Sequence, residues 1–430
     1  MKIKKMLSLV LAGCLALGLT ACGGSNASSA TSVSASASNV VSSEAPTGGK
    51  EIVYWSMWES TEPQAVAIQE VADAYEAKTG NTVTIEWKGR DISTFIQAAL
   101  DAEEHIDVFD TAFNTIAKQF ADDVLDLEDM AAAVGYDDYA VAALPAAVRN
   151  WAGSLVCIPY QPNTSGVFYS KAAFEKAGIT EEPQTWEEFL DVCEKLKAAG
   201  YTALAQDDAY VRFTYGFQLA RYIGQPAISK LAQEGGWSNT PEVLKAAQDI
   251  VTLRERGYLS PTAPDVYPDG QNELGFETAA MVVGASYVLN EITNNTGCDL
   301  EWGMFNYPAV EGGVDPTTVA NVGSQALAIP AYSENSQEAF DFITMLTSGE
   351  YDVKISQACN GMPSDTRNTE WPEMLAGCRD DFNALTGVYD WNMGLNDNPD
   401  AKEGINDCCL KLFDGTYTAE EFVAAMDALY

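Results

Sequence analysis

Carboxylates are the most abundant side chains in this sequence that could do acid–base chemistry. The 430 residues include 62 Asp and Glu against 24 Lys and Arg, and one histidine, His105. A glycosidase needs two carboxyl groups at a set separation, one with a raised pKa, and so many acids form pairs by chance. A Ser-His-Asp triad would have to use His105, and no G-x-S-x-G motif accompanies it. The residue types favour binding over catalysis, while a glycan-active enzyme stays open as an alternative.

One metal site is suggested by spacing. Asp265, Asp269 and Gly270 match positions 1, 5 and 6 of a calcium-binding loop. Tyr267 stands at position 3 and Phe276 at position 12, and neither supplies a carboxylate. With two ligands missing, the segment is predicted to be a solvated turn, and no metal or other cofactor is expected. The sequence has no G-x-x-x-x-G-K-[ST] loop either, so it lacks the motif of a P-loop nucleotide site.

Strands and helices are predicted to alternate in the first part of the folded chain. This alternation predicts a parallel sheet with crossover helices. Ligands bind such sheets at the carboxyl ends of strands, so the loop around Trp58 and residues 110–114 are the expected binding loops. The predicted strands are 51–55, 83–87 and 105–109, and the predicted helices between them are 64–78 and 95–100.

The chain begins with a segment typical of a secretory signal peptide. Three lysines precede an apolar run over residues 6–19, and residues 1–21 form the predicted signal. Residues 19–22 resemble the lipobox of bacterial lipoproteins. The resemblance implies that Cys22 is diacylated, becomes the new N-terminus and anchors the chain to the extracytoplasmic face of the cell membrane. Residues 22–49 are rich in Ser, Ala and Gly with almost no charge, which predicts a flexible linker.

Charge and cysteine usage exclude several classes of site and partner. The formal net charge is −38 at pH 7. Such a surface repels phosphate backbones, so nucleic acid is not an expected partner. Besides Cys14 and Cys22, the sequence has seven cysteines, at spacings that match neither zinc nor thioredoxin-like motifs. Their odd number requires an unpaired thiol or an intermolecular bond, and most are expected to be buried and reduced.

Six separated segments resemble the extracellular sugar-type solute-binding proteins of ABC importers, which are similar in layout to maltose-binding protein. They run in the family's order, although Tyr287 stands where the family commonly has Trp. The resemblance implies a two-lobed α/β fold of the type II periplasmic-binding-protein kind, each lobe a mostly parallel sheet flanked by helices. The segments are 54–65; 158–160 with 167–171; 174–179 with 183–189; 276–281 with 284–287; 326–330 with 336–346; and 415–422.

The same resemblance implies three hinge crossings between the lobes. Turn-rich stretches of the sequence at the first two crossings agree with this placement. The expected crossings are near 162–166, 307–311 and 347–350, the N-lobe is 50–163 plus 308–347, and the C-lobe is 164–307 plus 348–430.

A sugar site needs aromatic rings for the apolar C–H faces, and carboxylates or amides for the hydroxyl groups. Loop position or the family's site pattern selects the candidates. Asp207 and Asp208 have an alternative role as caps of the following helix. The expected ligand-binding residues are Trp58, Tyr160, Tyr210, Tyr287 and Trp391, with Glu59, Glu62, Asp110, Asn114, Asp207 and Asp208 as polar partners.

The function implied by the resemblance is that of a receptor. The chain would capture a carbohydrate, expected to be an oligosaccharide, outside the cell and deliver it unaltered to an ABC permease. The permease's transmembrane subunits would work with a separate ATPase. Two alternatives stay open. One is a surface enzyme acting on glycans, and the other is a solute-binding protein for a non-sugar ligand such as a peptide or polyamine, which the acid-rich loops allow.

Overall fold

The computed structural model describes residues 49–430. The predicted signal peptide, Cys22 and all but the last residue of the predicted linker lie outside the described residues. Between residues 49 and 430, no helix is both long and apolar enough to cross a bilayer.

Nine strands of the described chain form one mixed sheet, in the order β2-β1-β3-β8-β4-β6-β5, with β7 beside β4 and β9 beside β8. Pairs β1–β2, β1–β3 and β5–β6 are parallel, as predicted, while β4 and β8 add antiparallel pairs. The strands are β1 Glu51–Ser56, β2 Thr82–Trp87, β3 Val108–Ala112, β4 Ile158–Ser170, β5 Thr202–Ala205, β6 Ala279–Ala285, β7 Trp302–Phe305, β8 Val319–Ala328 and β9 Gly387–Tyr389.

Seventeen helices connect and cover these strands within the described residues. They are α1 Pro63–Thr79, α2 Ile92–Asp101, α3 Phe113–Gln119, α4 Glu128–Val134, α5 Ala143–Ala152, α6 Lys171–Lys176, α7 Trp186–Ala198, α8 Val211–Ile223, α9 Gln225–Glu234, α10 Pro241–Glu255, α11 Asp269–Gly275, α12 Val288–Thr296, α13 Ser336–Leu346, α14 Gly349–Cys359, α15 Arg379–Asn383, α16 Lys402–Phe413 and α17 Ala419–Asp427.

The predicted third strand starts three residues too early. The observed strand β3 begins at Val108, and His105 is exposed before it. The buried carboxylate of Asp107 accepts a hydrogen bond from the Val53 N–H at 2.9 Å. It also accepts one from the Ser333 hydroxyl at 2.6 Å. Just before β3, the Asp107 side chain therefore makes hydrogen bonds of the kind that a paired strand would make. The apolar pattern of the sequence alone could not indicate this later start of the strand.

Strands β4 and β8 connect the two parts of the sheet. The first half of β4 pairs with β8, and its second half pairs with β6 and β7. The sequence predicts a polar turn over 161–166, but these residues lie inside β4. The register between β4 and β8 shifts between Tyr160 and Asn163, so one extra residue bulges from β4. A bulge accommodates the polar residues without ending the strand.

Buried side chains form two cores that share this sheet. The first core contains Ile52 and Val108, and the second contains Phe213 and Trp237. Alternation along β4 points Phe168 into the first core, while its neighbours on either side belong to the second. The lobe boundaries stay a prediction. Helix α14 packs against α1, which favours a third boundary after α14 instead of before it.

Candidate functional site

A cavity of about 500 Å³ lies where the β1–α1 loop, the crossing strands and the start of α12 meet. Two predicted site residues, Trp58 and Tyr287, line it, and we therefore take it as the candidate site. Strand β4 contributes residues 161–163 and strand β8 contributes Gln325. The complete lining is Trp58, Pro63, Gln64, Gln161, Pro162, Asn163, Ser286, Tyr287, Asn290, Asn294, Gln325, Ala358, Cys359, Asn360 and Gly361.

Trp58 is held by a hydrogen-bonded chain that runs beneath it. Its indole N–H donates to the Tyr160 hydroxyl at 2.7 Å, and that hydroxyl donates to Asp110 Oδ2. The Tyr54 hydroxyl donates to the same carboxylate oxygen at 2.8 Å, and the Met57 N–H donates to Oδ1 at 2.6 Å. Asp110 therefore connects the ends of β1 and β3 to the indole and fixes its orientation.

Asp110 and Tyr160 are supporting residues by position. Asp110 has 0% exposure and Tyr160 has 1%, so neither is on the cavity wall. Burial has the largest effect on the Asp110 pKa and raises it to about 6, although hydrogen bonds from Tyr160, Met57 and Tyr54 act to lower it. Burial likewise raises the pKa of Tyr160. At neutral pH this arrangement holds a buried carboxylate that accepts three donors.

Arg90 covers one face of the Trp58 indole. Its guanidinium carbon lies 4.3 Å from the ring centroid. The same guanidinium donates to the Met57 carbonyl at 2.7 Å and to both Glu62 oxygens, at 3.0 and 2.6 Å. Burial acts to raise the pKa of Glu62, but bonds from Arg90 and the Glu59 N–H outweigh it and lower that pKa. Arg90 thus occupies one face of the ring, and Trp58 as a whole is 8% exposed.

The bulge in β4 turns amide side chains toward the cavity wall. Gln161 has φ +48°, a left-handed conformation that costs a non-glycine residue energy and clusters at functional sites. Asn163 lines the same wall, and a Cβ at Gly323 would lie 2.7 Å from its Nδ2, so glycine gives that amide room. Among the described residues, neither the buried Gln161 Nε2 nor the buried Gln325 Oε1 has a hydrogen-bond partner.

An exposed aromatic cluster continues from Tyr287 outside the cavity. Burial and the neighbouring Tyr287 raise the pKa of Tyr210, whose ring centroid lies 5.9 Å from that of Tyr267 and 6.3 Å from that of Trp391. Trp391 packs at 4.4 Å against the buried Phe213, which fixes its ring. Tyr287 is 37% exposed and both Tyr267 and Trp391 are 41% exposed. Three of the five predicted aromatic residues are thus brought together here.

Asp207 and Asp208 hold the loop that carries Tyr267. Asp207 accepts the Gly270 and Gln271 N–H groups at 2.7 and 3.0 Å, and Asp208 accepts the Tyr267 N–H at 3.0 Å. Burial raises the pKa of Asp207 to about 7, although these two backbone donors lower it. Asp207 caps α11 rather than the helix after it. No group of three or more His, Cys, Asp or Glu within residues 49–430 is placed to hold a metal ion.

The predicted residues thus fall into three positions. Trp58 and Tyr287 face the cavity, with Tyr210 and Trp391 beside it. Asp110, Tyr160 and both aspartates of the 207–208 pair lie behind these rings. Glu59 is exposed, Glu62 is bonded to Arg90 and Asn114 is half-buried at the start of α3, and none of the three lines the cavity.

The amide residues of the cavity and one ring of the cluster are not among the residues predicted from the sequence. The polar stretch from Gln161 was visible, but its composition indicated only a turn. The missed residues are Gln64, Gln161, Asn163, Asn290, Asn294, Gln325, Asn360 and Tyr267.

Comparison with known proteins identifies the family. The bacterial extracellular solute-binding protein family matches residues 58–352. The chain belongs to this family. Over 251 residues, this solute-binding protein is 26% identical to the multiple sugar-binding protein of Streptococcus mutans, a match that covers 55% of this chain and 58% of that protein. It is 21% identical over 223 residues to an sn-glycerol-3-phosphate-binding periplasmic protein of Rhizobium meliloti, covering 49% and 50% of the two chains.

Solved structures show the same fold. The bacterial solute receptor AcbH, described with an exclusive substrate preference for β-D-galactopyranose, superimposes with a TM-score of 0.71. The match covers 89% of this chain and 98% of that one at 17% identity. The fold is therefore that of a type II periplasmic binding protein, as predicted.

Proposed function

We propose that this solute-binding protein captures a carbohydrate outside the cell and delivers it chemically unaltered to an ABC permease. The cavity between Trp58 and Tyr287 carries the proposal. It offers an indole fixed from behind, a partly exposed phenol, and amide groups with buried atoms that lack partners. Aromatic faces suit sugar C–H groups, and amides both donate to and accept from hydroxyl groups.

The crossing strands suggest how binding couples to movement. Gln161 and Gln325 come from β4 and β8, the two strands that join the parts of the sheet. In the proposal, two lobes close around the sugar, and the sugar favours the closed form by its higher affinity for that form. The lobes would be those predicted above, 50–163 with 308–347 and 164–307 with 348–430, except that its packing against α1 assigns α14 to the first lobe. The permease, with a separate ATPase, would recognise the closed form.

Substitution of the two tryptophans tests the site. Trp58→Ala and Trp391→Ala are each expected to weaken saccharide binding at least tenfold, which calorimetric titration measures after a thermal-shift screen of neutral mono- and oligosaccharides. Phe276→Ala is the matched control, because Phe276 is a 63% exposed aromatic residue that does not line the cavity. Unchanged affinity in both tryptophan variants would contradict the proposed site.

The ligand is proposed to be an oligosaccharide, because the exposed aromatic cluster beside the cavity offers further rings for stacking. The cluster from Tyr287 to Trp391 would stack a second sugar unit. Chain-length dependence tests this point, since affinity should rise from the monosaccharide to the trisaccharide of one series. A glycan-active enzyme would instead release shorter products, so recovery of the intact oligosaccharide after incubation distinguishes the two functions.

The membrane anchor is a further part of the proposal and depends on sequence alone. Acylated Cys22 would hold the protein at the outer face of the membrane through the linker. Cys22→Ala is expected to move the protein from the membrane fraction to the medium. Retention of that variant on the membrane would contradict the anchor without affecting the proposed ligand.

A further inference from the structure

The cavity wall is rich in amides and free of charged groups. Seven of its lining residues are Asn or Gln, and none of the described lining residues is Lys, Arg, His, Asp or Glu. This is unusual in a chain whose formal net charge is −38. Proteins bind phosphate and carboxylate groups through Arg, Lys or exposed backbone N–H groups, and they bind ammonium groups through carboxylates. The side chains of the wall can therefore form hydrogen bonds with a ligand, but none of them carries a charge that could pair with a charged group.

Three charged side chains near the cavity, those of Arg90, Glu291 and Asp110, are already paired or buried. Arg90 donates to the Met57 carbonyl and to Glu62, and it stacks on Trp58. Glu291, beside the lining residue Asn290, accepts from the Tyr267 hydroxyl at 3.1 Å and from a glutamine side chain at 2.9 Å. Asp110 is fully buried. An anionic ligand would therefore have to break the contacts of Arg90 to obtain this cation as a partner.

Two helices start at the cavity wall, and a helix N-terminus attracts anions. The residue at the first position of α1 is Pro63, which has no N–H, and the preceding cap residue is Glu62. The first turn of α12 contains Glu291. A carboxylate at each helix start offsets the positive end of the dipole, so neither start is available to a phosphate group.

We propose that the cavity selects an uncharged, hydroxyl-bearing sugar ring and rejects phosphorylated and carboxylated sugars, with Gln161 and Gln325 as the specificity-determining pair. This inference rests on the proposed function and narrows its ligand. Such selectivity would distinguish the ligand of this chain from that of its relatives named for glycerol 3-phosphate. A hydroxyl group can accept from one glutamine amide and donate to the other, whereas a phosphate cannot donate to Gln325 Oε1 when it is fully ionised.

Matched neutral and charged probes test the proposal. Galactose, maltotriose, xylotriose and chitotriose are titrated beside galactose 6-phosphate, galacturonic acid, sn-glycerol 3-phosphate and inorganic phosphate. We expect at least one neutral saccharide to bind, and every anionic probe to bind at least 100-fold more weakly. Equal binding of neutral and anionic probes would overturn this inference and leave the proposed function intact. Failure of every saccharide to bind would overturn the proposed function and the inference with it.

Substitution of Gln161 and Gln325 tests whether these two residues determine which ligand the cavity binds. Gln161→Glu keeps the shape of the side chain but removes its N–H donors, and it is expected to weaken binding of the best neutral saccharide at least tenfold. Gln325→Leu, which removes the acceptor, is an independent second variant. Gln119→Glu is the matched control, because Gln119 is exposed on α3 and does not line the cavity. Wild-type affinity in both cavity variants, with melting curves that show folded protein, would overturn the assignment of this pair.

Discussion

Removal of the Tyr160 hydroxyl tests whether the hydrogen-bonded chain beneath Trp58 prepares the site. Tyr160→Phe deletes the acceptor of the indole N–H and one of the three donors to Asp110. The ring itself, which is 1% exposed, keeps its packing. The variant therefore separates the polar chain from the hydrophobic core around it.

The expected size of the effect follows from burial. A buried polar group left without its partner costs about 1–3 kcal/mol, and this substitution affects two such groups. We expect the free energy of unfolding to fall by about 2–4 kcal/mol. We also expect saccharide affinity to fall about fivefold, since an indole that is no longer oriented would lose about 1 kcal/mol of binding free energy. Urea denaturation and calorimetric titration of the same preparation measure both quantities.

Tyr54→Phe is the matched control. It removes a different donor to the same Asp110 oxygen, but Tyr54 does not contact the Trp58 indole N–H. We expect this variant to lose stability while it keeps the wild-type affinity. Equal affinity losses in both variants would show that Asp110 itself, and not the orientation of the indole, determines binding. Unchanged affinity in Tyr160→Phe would refute the reasoning.

Three further predictions concern the rest of the site. Lys118 Nζ lies 2.9 Å from both carboxylate oxygens of Asp390, which precedes Trp391 in the sequence. Lys118→Met should therefore weaken saccharide binding by up to about fivefold and reduce the salt dependence of that binding, as measured by titrations at low and high ionic strength. Burial raises the folded-state pKa of Asp207 from 3.8 to about 7, so the folded state binds this proton more tightly than the unfolded state does. The free energy of unfolding should therefore fall as the pH rises from about 4 to 7. Asp207→Asn should make that fall smaller in denaturant titrations carried out across this pH range. Cys359 lines the cavity, and its thiol is free. Saturating saccharide should slow the alkylation of Cys359, measured by mass spectrometry, without changing the alkylation rate of Cys298. Equal alkylation rates of Cys359 with and without saccharide would contradict the site.

Local pattern was sufficient to predict much of the fold. The observed strands β1 and β2 and helix α1 agree with the predicted elements within two residues. A capping box forms at the start of α7, where Thr185 accepts the Glu188 N–H and Glu188 accepts the Thr185 N–H. Periodicity and capping depend on neighbours in sequence, which a single chain displays directly.

The cavity itself depends on register between distant strands. Gln325 reaches the site because β8 pairs with β4 so that Gln325 lies opposite Tyr160. Nothing near Gln325 in the sequence indicates that pairing. The burial of Asp110, which the sequence predicts to contact the ligand, depends on long-range contacts in the same way. Its position after a strand was predictable, but its burial by hydroxyl groups of Tyr54 and Tyr160 depends on long-range contacts.

A crystal structure with the saccharide that gives the largest thermal shift would test the account most directly. We predict that the sugar lies between Trp58 and Tyr287, with hydroxyl groups bonded to Gln161 and Gln325 and with no charged side chain in contact. A sugar bound elsewhere, such as in the cavity of about 610 Å³ lined by Trp186 and Asp249, would contradict it.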